Sequence, residues 1–342
     1  MKVALIGVGM VAETHVRAVA DAPGLTLAGV LSRDPANART FAARMASVLG
    51  EAPPVYETLD ALARSDCDFA LLCTPPDARA EIVETLAQAG KPILMEKPVE
   101  RTTAAARALV ETCEAADVPL GIVFQHRLRP ASRDLADLLD RGALGEIAAV
   151  EITVPWWREQ GYYNAPGRGT FARDGGGVLI SQAIHTLDLA LSLLGPVRRV
   201  QAMAHTTALH RIEAEDFVTA GLEFESGAVG SLTASTASRP GGAEGIAVHG
   251  TKGSARLTGG ALLLDWADGR SETRGEAAGT GGGADPMAFT HAWHQAVIED
   301  FAQALRTGRA PACPGRAALP VHALIDAIRS SARAGRAVEV IA

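Results

Sequence analysis

The chain has 342 residues, enough for about two domains, and 48% of them are hydrophobic, which suffices for sizeable cores. Its net charge of −7, with basic residues interspersed along the sequence, argues against nucleic acid as a partner. The first apolar residues belong to a predicted strand and no apolar run approaches membrane-spanning length, so we expect a cytoplasmic protein without a membrane segment. The four cysteines form no Cys-x-x-Cys pair and are expected to be small buried hydrophobes.

A glycine-rich turn follows the first apolar run of the chain. Residues 2–6 predict a buried parallel strand, Gly7 and Gly9 follow it, and an apolar helical pattern begins at Val11. This order of strand, turn and helix is typical of dinucleotide-binding folds, because glycines let the backbone approach a pyrophosphate. We therefore expect Gly7, Gly9, Met10 and Val11 to contact a dinucleotide.

Short apolar runs alternate with helical patterns as far as residue 124, which predicts a doubly wound parallel sheet and a Rossmann NAD(P)-binding domain over residues 1–124. The tip of its second strand carries Ser32 and Arg33 instead of the acid that usually binds the ribose hydroxyls of NAD. These two side chains favour NADP slightly over NAD. If they only form a helix entrance, both cofactors remain open.

Two more strand ends reach the carboxyl edge of the predicted sheet, where ligands of open α/β folds bind. Thr74 and Pro75 follow the third strand, and Lys97 follows the fourth. A partly desolvated lysine near a nicotinamide is suited to polarise a hydroxyl group or shuttle its proton. The alternative is a surface lysine that caps a helix.

The remaining chain predicts a second domain over residues 125–342, with few helices and a series of strands that suggests a largely antiparallel sheet. The predicted helices cover residues 130–140, 177–194, 287–305 and 315–334, and the predicted strands cover 146–154, 197–205, 214–224, 228–235, 245–249, 254–257, 261–266 and 337–341. Residues 275–285 are glycine-rich and predict a flexible surface loop.

Three consecutive glycines at residues 175–177 precede a helical segment with polar residues. At helical spacing, Ser181, His185 and Asp188 share one face. A neutral imidazole in a pocket can accept a hydroxyl proton near working pH, so His185 is a candidate acid/base. Taken alone, such a histidine is more often a buried, hydrogen-bonded core residue, but its position after a triple glycine favours the acid/base role.

Aromatic residues are concentrated in residues 156–164. Trp157 and Tyr163 could stack on a sugar ring, and Arg158 and Arg168 could bind its hydroxyls or a carboxylate. An aromatic subunit interface explains the same composition.

Two pairs of histidines are possible metal ligands. His291-x-x-His294 and the pair His205 and His210 each lack a local third ligand, so we expect helix-entrance or surface roles and no metal.

The combination of Gly7-Val8-Gly9, Glu96-Lys97-Pro98 and a triple glycine before His185 resembles the glucose-fructose oxidoreductase, inositol dehydrogenase and rhizopine-catabolism family over nearly the whole chain. The resemblance implies an α/β fold, with a Rossmann domain plus a C-terminal α+β domain that has a large, mostly antiparallel open sheet. It implies homodimers or homotetramers through that sheet. It also implies catalytic roles for Lys97 and His185.

The resemblance extends to further site residues, with two departures. It places Glu96 and Gln125 near the cofactor and Arg127 near the substrate. Many relatives carry an aspartate where this chain has Ser181, which could relay a proton or hold a substrate hydroxyl. Relatives also tend to have a histidine where this chain has Arg79, and this difference puts one cofactor-side contact in doubt.

The resulting hypothesis is an NAD(P)-dependent oxidoreductase that moves hydride between a nicotinamide and a secondary alcohol or ketone of a sugar, inositol or sugar derivative. The alternative is a catalytically idle dinucleotide sensor that signals through its open sheet. Ser181 supports the sensor, whereas Lys97 and His185 argue against it.

Overall fold

Five short strands form a parallel sheet in the first part of the chain. The computed structural model describes residues 1–341. The strands of this sheet are β1 (Lys2–Ile6), β2 (Thr26–Leu31), β3 (Phe69–Leu72), β4 (Ile93–Glu96) and β5 (Leu120–Val123). Their order is β2-β1-β3-β4-β5 and every pairing is parallel. Most strand residues are buried, as expected for a sheet that is covered on both faces.

Helices alternate with these strands, as the sequence predicts. They are α1 (Ala12–Asp21), α2 (Pro35–Leu49), α3 (Leu59–Ala63), α4 (Ala80–Gln88) and α5 (Thr103–Ala115). Asp34 caps α2, because its carboxylate accepts a hydrogen bond from the Ala36 N–H at 2.9 Å and Pro35 is the first helical residue. The strand order reverses direction between β1 and β3, and ligands of open α/β sheets bind at such a switch point.

A distant segment completes the first unit. The chain divides into two compact units, of which the first contains Met1–Glu100, Ala104–Gln125 and His291–Ala318. Helix α9 (Ala292–Thr307) of this segment packs against α1, and its Phe301 ring meets Phe69 edge-on with centroids 5.3 Å apart. The boundary predicted at residue 124 therefore does not hold for residues 291–318, which return to bury their apolar face on the first sheet. This helix begins at residue 292 instead of the predicted 287.

The second unit is built on a nine-stranded sheet. Its strands are β6 (Ile147–Pro155), β7 (Val197–His205), β8 (Phe217–Phe224), β9 (Val229–Ser235), β10 (Gly245–Gly250), β11 (Gly253–Thr258), β12 (Ala261–Trp266), β13 (Ser271–Arg274) and β14 (Val338–Glu339). Their order is β13-β12-β11-β10-β6-β9-β8-β7-β14, and among the described pairings of this second sheet only β6–β9 is parallel. The predicted fold class, a Rossmann domain plus a mostly antiparallel open sheet, is confirmed.

Helices cover one face of this sheet. They are α6 (Pro130–Asp140), α7 (Gln160–Tyr163), a π-helical turn (Leu179–Ala183), α8 (Ile184–Leu194) and α10 (Leu319–Ala334). Helix α8 packs on β6 and β10, and α10 packs on β7. The opposite face exposes large side chains such as Met203 and Val229, which are 62% and 56% exposed. None of the helices in residues 1–341 is long and apolar enough to cross a membrane.

Two details of the second unit differ from the sequence-based expectation. Strand β13 escapes prediction because its four residues, Ser-Glu-Thr-Arg, are all polar and form an exposed sheet edge. The loop over residues 275–285 was predicted to be flexible, but its second half is held by hydrogen bonds. The Gly281 and Gly283 carbonyls accept hydrogen bonds from the Arg158 guanidinium. The Gly282 carbonyl accepts from the Trp157 N–H, so this part of the loop is anchored.

Candidate active site

The turn after β1 forms a cradle of bare backbone. Gly7 has φ +95°, and a Cβ there would lie 2.9 Å from the Cys73 carbonyl carbon at the end of β3. A Cβ at Gly9 would meet nothing within 4 Å, so this side of the turn has open space. Helix α1 starts at Ala12 without a side-chain cap, and the Ala12 N–H donates to the Gly9 carbonyl at 3.1 Å, so the positive end of the helix dipole lies at this turn, where it favours an anion. The geometry fits a dinucleotide pyrophosphate beside Gly7, Gly9 and the neighbouring Met10 and Val11.

Two buried polar atoms at strand ends have no hydrogen-bond partner within residues 1–341. They are the Thr74 hydroxyl oxygen after β3 and the Gln125 Oε1 after β5. Buried polar groups are normally satisfied, so an unmatched pair at the ligand-binding edge indicates a partner that the chain itself does not supply. Both residues were predicted to contact the cofactor, and a bound dinucleotide would offer donors and acceptors to them. Pro75 follows Thr74 and is exposed.

Arg79 organises the loop that carries Lys97. Its side chain is 1% exposed and its guanidinium donates hydrogen bonds to the carbonyls of Thr74, Glu96, Pro98 and Val99. Burial lowers the pKa of Arg79 to about 10, so the group stays cationic at neutral pH. Arg79 therefore ties the end of β3 to both sides of Lys97, which is half-buried.

Glu96, which the resemblance places near the cofactor, is buried inside the first unit. Its carboxylate is 6% exposed and lies 2.7 Å from the Nε2 of His15 on α1. Burial would raise the pKa of Glu96, but the hydrogen bond from His15 and the charges of His15, His294 and Lys97 outweigh burial and lower it. The chain satisfies this carboxylate internally, so we assign it a structural role.

The glycines before α8 permit close backbone approach in the second unit. A Cβ at Gly177 would lie 1.8 Å from the Glu215 carbonyl oxygen, which accepts a hydrogen bond from the Val178 N–H at 2.8 Å. Arg329 donates to the Gly175 carbonyl at 2.7 Å and to the Glu215 carboxylate at 3.0 Å. A π-helical turn follows directly, and such turns are frequent at functional sites.

His185 and Asp188 lie one turn apart on α8 and face the turn that follows β5. The His185 ring is 6% exposed and stacks on His126 with centroids 4.9 Å apart. Asp188 is 1% exposed and accepts two hydrogen bonds from Arg127, at 2.6 and 2.7 Å. Stacking holds the imidazole plane of His185, and Ser181 lies four residues earlier, half-buried in the π-helical turn. Arg127 is engaged by Asp188, which favours a positioning role for it over direct substrate binding.

Ionisation of Asp188 makes the free energy of unfolding depend on pH. Burial raises its pKa, the hydrogen bonds and charge of Arg127 partly offset burial, and the pKa is about 6. As pH rises from about 4 to 6, the carboxyl ionises in the unfolded chain before it does so in the folded protein, so its contribution to stability falls and then stays constant. The free energy of unfolding of the wild type relative to Asp188→Asn should therefore fall by roughly 3 kcal/mol between pH 4 and 7, from a shift of about two pKa units.

Urea unfolding of both proteins across this pH range measures the difference. Asp137→Asn is the matched control, because Asp137 forms a surface pair with Arg141 and is 63% exposed. A difference for Asp188→Asn that stays flat or grows with pH would contradict the assignment.

Several side chains of the aromatic segment, residues 156–164, are buried, whereas the sequence suggested that they contact a sugar. Trp157, Arg158 and Tyr163 are each less than a tenth exposed, and the Tyr163 hydroxyl bonds the Thr236 hydroxyl at 2.7 Å. Arg158 donates to the Trp157 carbonyl as well as to the glycine loop. Arg168 is half-buried, with its guanidinium 4.2 Å from the Tyr162 ring centroid. These contacts favour a structural role for Trp157, Arg158 and Tyr163, and leave Arg168 as the more accessible member.

His210 is a buried residue, contrary to the surface role expected for it. Its Nδ1 lies 2.7 Å from an Asp216 carboxylate oxygen, and its Nε2 lies 2.7 Å from the Arg158 carbonyl oxygen. The rings of Trp157 and Tyr163 pack on it. The sequence feature that could have indicated a buried His210 is the acidic pair 215–216, because Asp216 contacts the His210 ring. His205 is exposed as expected.

The glycine cradle, the unmatched polar atoms at the strand ends and the switch point between β1 and β3 define a Rossmann-fold oxidoreductase that binds NAD(P). Residues 1–124 match the model of an oxidoreductase family with an NAD-binding Rossmann fold, and residues 132–256 match the GFO/IDH/MocA C-terminal domain. The chain belongs to the GFO/IDH/MocA family, as the resemblance of its motifs indicated.

Individual relatives cover most of the chain. It is 30% identical to a D-apiose dehydrogenase of Paraburkholderia graminis over 99% of this chain and 89% of that protein. It is 29% identical to an inositol 2-dehydrogenase of Rhizobium meliloti over 73% of each. Among solved structures, the WlbA dehydrogenase of Bordetella pertussis, in complex with NADH and UDP-GlcNAcA, has a TM-score of 0.83 and 28% identity, covering 100% of this chain and 99% of that one.

Proposed function

We propose that the protein is a dehydrogenase that oxidises a secondary alcohol of a sugar, inositol or sugar derivative, or reduces the corresponding ketone. The observation that carries the proposal is Lys97 at the ligand edge of the first sheet, with the carbonyls on both sides of it held by buried Arg79. The relatives named above, dehydrogenases of D-apiose and inositol, support a polyol substrate.

The roles of the chain's own residues follow from their chemistry. A bound nicotinamide would accept the hydride from the alcohol carbon or return it to the ketone. Lys97 supplies an ammonium that polarises the reacting oxygen, and His185 accepts the hydroxyl proton during oxidation and returns it during reduction. The stack on His126 limits rotation of the His185 ring, so the proton acceptor keeps one orientation. Ser181 is proposed to hold a substrate hydroxyl, with Arg168 as a further candidate contact.

Nicotinamide absorbance provides the direct test. The purified protein is assayed against sugars, inositols and sugar acids, each with NAD and with NADP. Turnover with one polyol class supports the proposal and defines the substrate. If no compound is turned over while a fluorescence titration shows cofactor binding, the idle sensor becomes the better account, since Ser181 stands where many relatives carry an aspartate.

The cofactor preference is proposed to depend on the tip of β2. Ser32 is half-buried there and Arg33 is exposed, with no hydrogen bond or ion pair inside residues 1–341. An exposed guanidinium can bind a 2′-phosphate through charge-assisted hydrogen bonds. Arg33→Ala should lower kcat/KM with NADP by about 10- to 100-fold, as expected for such bonds, with little effect on NAD.

The control for this prediction is Arg39→Ala on α2, which removes an exposed arginine paired with Glu57. Its ratio of kcat/KM for the two cofactors should match the wild type. Equal losses with NAD and NADP in Arg33→Ala would exclude phosphate recognition by Arg33.

The uncovered face of the second sheet is proposed to join copies of this chain. Met203 and Val229 point outward on this face, together with Phe217, which is 37% exposed. Exposed apolar groups on one sheet face mark an association surface. Light scattering after gel filtration should give the mass of a dimer or tetramer, and Met203→Glu should shift the equilibrium toward the monomer. A wild-type monomer at micromolar concentration would refute the proposal.

A further inference from the structure

The two histidines of the His291-x-x-His294 pair have different surroundings. His291 is half-buried at the entrance of α9 and its Nε2 lies 2.7 Å from the Asp21 carboxylate. His294, one turn later, is 2% exposed. The sequence showed no local third ligand for this pair, but the fold supplies two from far away in the chain.

Three side chains converge around His294 inside the first unit. They are His15 from α1, Glu96 from the end of β4 and His294 from α9, and one ligand atom of each lies within 4.8 Å of the others. The Glu96 Oε1 is 2.7 Å from the His15 Nε2 and 3.9 Å from the His294 Nε2. All three residues are more than nine-tenths buried. A carboxylate and two imidazoles are ordinary ligands of zinc.

The separations of the ligand atoms are those expected around a metal ion. The Glu96 Oε1 is in hydrogen-bond contact with the His15 Nε2, and the His294 Nε2 lies 3.9 Å from the same oxygen, too far for a hydrogen bond to it. Two nitrogens and an oxygen on a tetrahedral zinc ion would lie about 3.4 Å from one another, a value between the two observed separations.

The spacing of the two imidazole rings also matches that of a shared ion. The ring centroids of His15 and His294 are 5.0 Å apart and the planes are inclined by 85°. Two imidazoles that bind one tetrahedral zinc through Nε2, at about 2.0–2.1 Å, have centroids about 5 Å apart. The rings therefore require only small movements to take up coordination.

We propose that His15, Glu96 and His294 bind a divalent zinc ion that fastens α9 to α1 and β4. A fourth position remains for water. The all-oxygen sets that calcium and magnesium prefer differ from this set of two nitrogens and one oxygen. His294 lies on a segment of the first unit that begins almost 170 residues after β5. The ion would hold this segment in place, which is a structural role separate from hydride transfer.

Metal analysis of the full-length protein without a histidine tag tests the proposal. The protein is equilibrated with Zn²⁺, passed over a column in a weak chelator and analysed by mass spectrometry of the metal. One zinc per chain is expected for the wild type and for the control His291→Ala, which removes the neighbouring histidine on the same helix. His15→Ala and His294→Ala should each weaken zinc binding at least about tenfold, since even outer-shell partners of a metal contribute this much.

Cobalt substitution provides a second measurement, in which the wild-type spectrum alone can overturn the proposal. Co²⁺ in the wild type should show the strong visible absorption of a four-coordinate site, and His294→Gln, a milder change, should abolish it. A wild type that retains no zinc, a weak six-coordinate cobalt spectrum, or equal zinc affinity in all variants would overturn the proposal. None of these measurements uses turnover, so they are independent of the proposed dehydrogenase activity.

Discussion

Replacement of Lys97 by methionine is expected to lower kcat by a factor of about 100 to 10,000, the usual range for loss of a positioned group that polarises the reacting oxygen or transfers its proton. Methionine has a similar length and no charge, so the loop held by Arg79 should keep its shape. The cradle at Gly7 and Gly9 does not include the Lys97 side chain, so cofactor affinity should stay within about threefold of the wild type, under 1 kcal/mol. Steady-state kinetics and a fluorescence titration with the cofactor measure the two quantities.

Two further variants sharpen this result. Lys97→Arg keeps the positive charge but cannot give up a proton near neutral pH, so it separates electrostatic polarisation from proton transfer. Lys252→Met, in the exposed turn between β10 and β11, is the matched control and should be fully active. If Lys97→Met turns over at the wild-type rate, Lys97 has no part in the chemistry. If it loses cofactor binding as well, its role is in binding.

The Rossmann architecture could be predicted from local patterns. The strand, glycine turn and helix over residues 2–21 are adjacent in sequence, and each apolar run of four to six residues becomes a buried strand. Most antiparallel strands from β8 to β12 were similarly found, because the turns β8–β9, β10–β11 and β11–β12 are short and contain or adjoin glycine. Strand β13 was missed because it buries little apolar surface and so leaves no periodic signal.

The contacts that decide the roles of side chains could not be predicted in the same way. The segment 156–164 has the composition of a sugar-binding surface, but composition does not say which way a ring faces. Arg158 finds its acceptors in the glycine loop more than 120 residues away. Glu96 meets His15 and His294 across separations that no spacing rule covers. A long-range partner of this kind becomes visible only once the strands are placed side by side.

Arg79 is the clearest such residue, and its replacement is expected to have the largest effect on stability. Arg79→Met removes the donor that four backbone carbonyls share, those of Thr74, Glu96, Pro98 and Val99. Buried acceptors without a donor cost about 1–3 kcal/mol each where water cannot replace it. We expect a loss of about 3–5 kcal/mol in the free energy of unfolding, comparable to breaking a buried charged pair. Urea unfolding measures this loss.

Activity distinguishes a positioning role for Arg79 from a merely structural one. If Arg79 orients Lys97, then Arg79→Lys, which can still carry a charge but lacks the planar fork of donors, should lower kcat more than it raises KM at a temperature where it remains folded. Arg17→Met is the control, because Arg17 is 48% exposed and its ion pair among residues 1–341 is the i,i+4 pair with Glu13, worth about 0.5 kcal/mol. If Arg79→Lys is folded and destabilised but keeps the full kcat, the role of Arg79 is limited to holding the ends of β3 and β4 together. The position of Lys97 would then not depend on the Arg79 guanidinium.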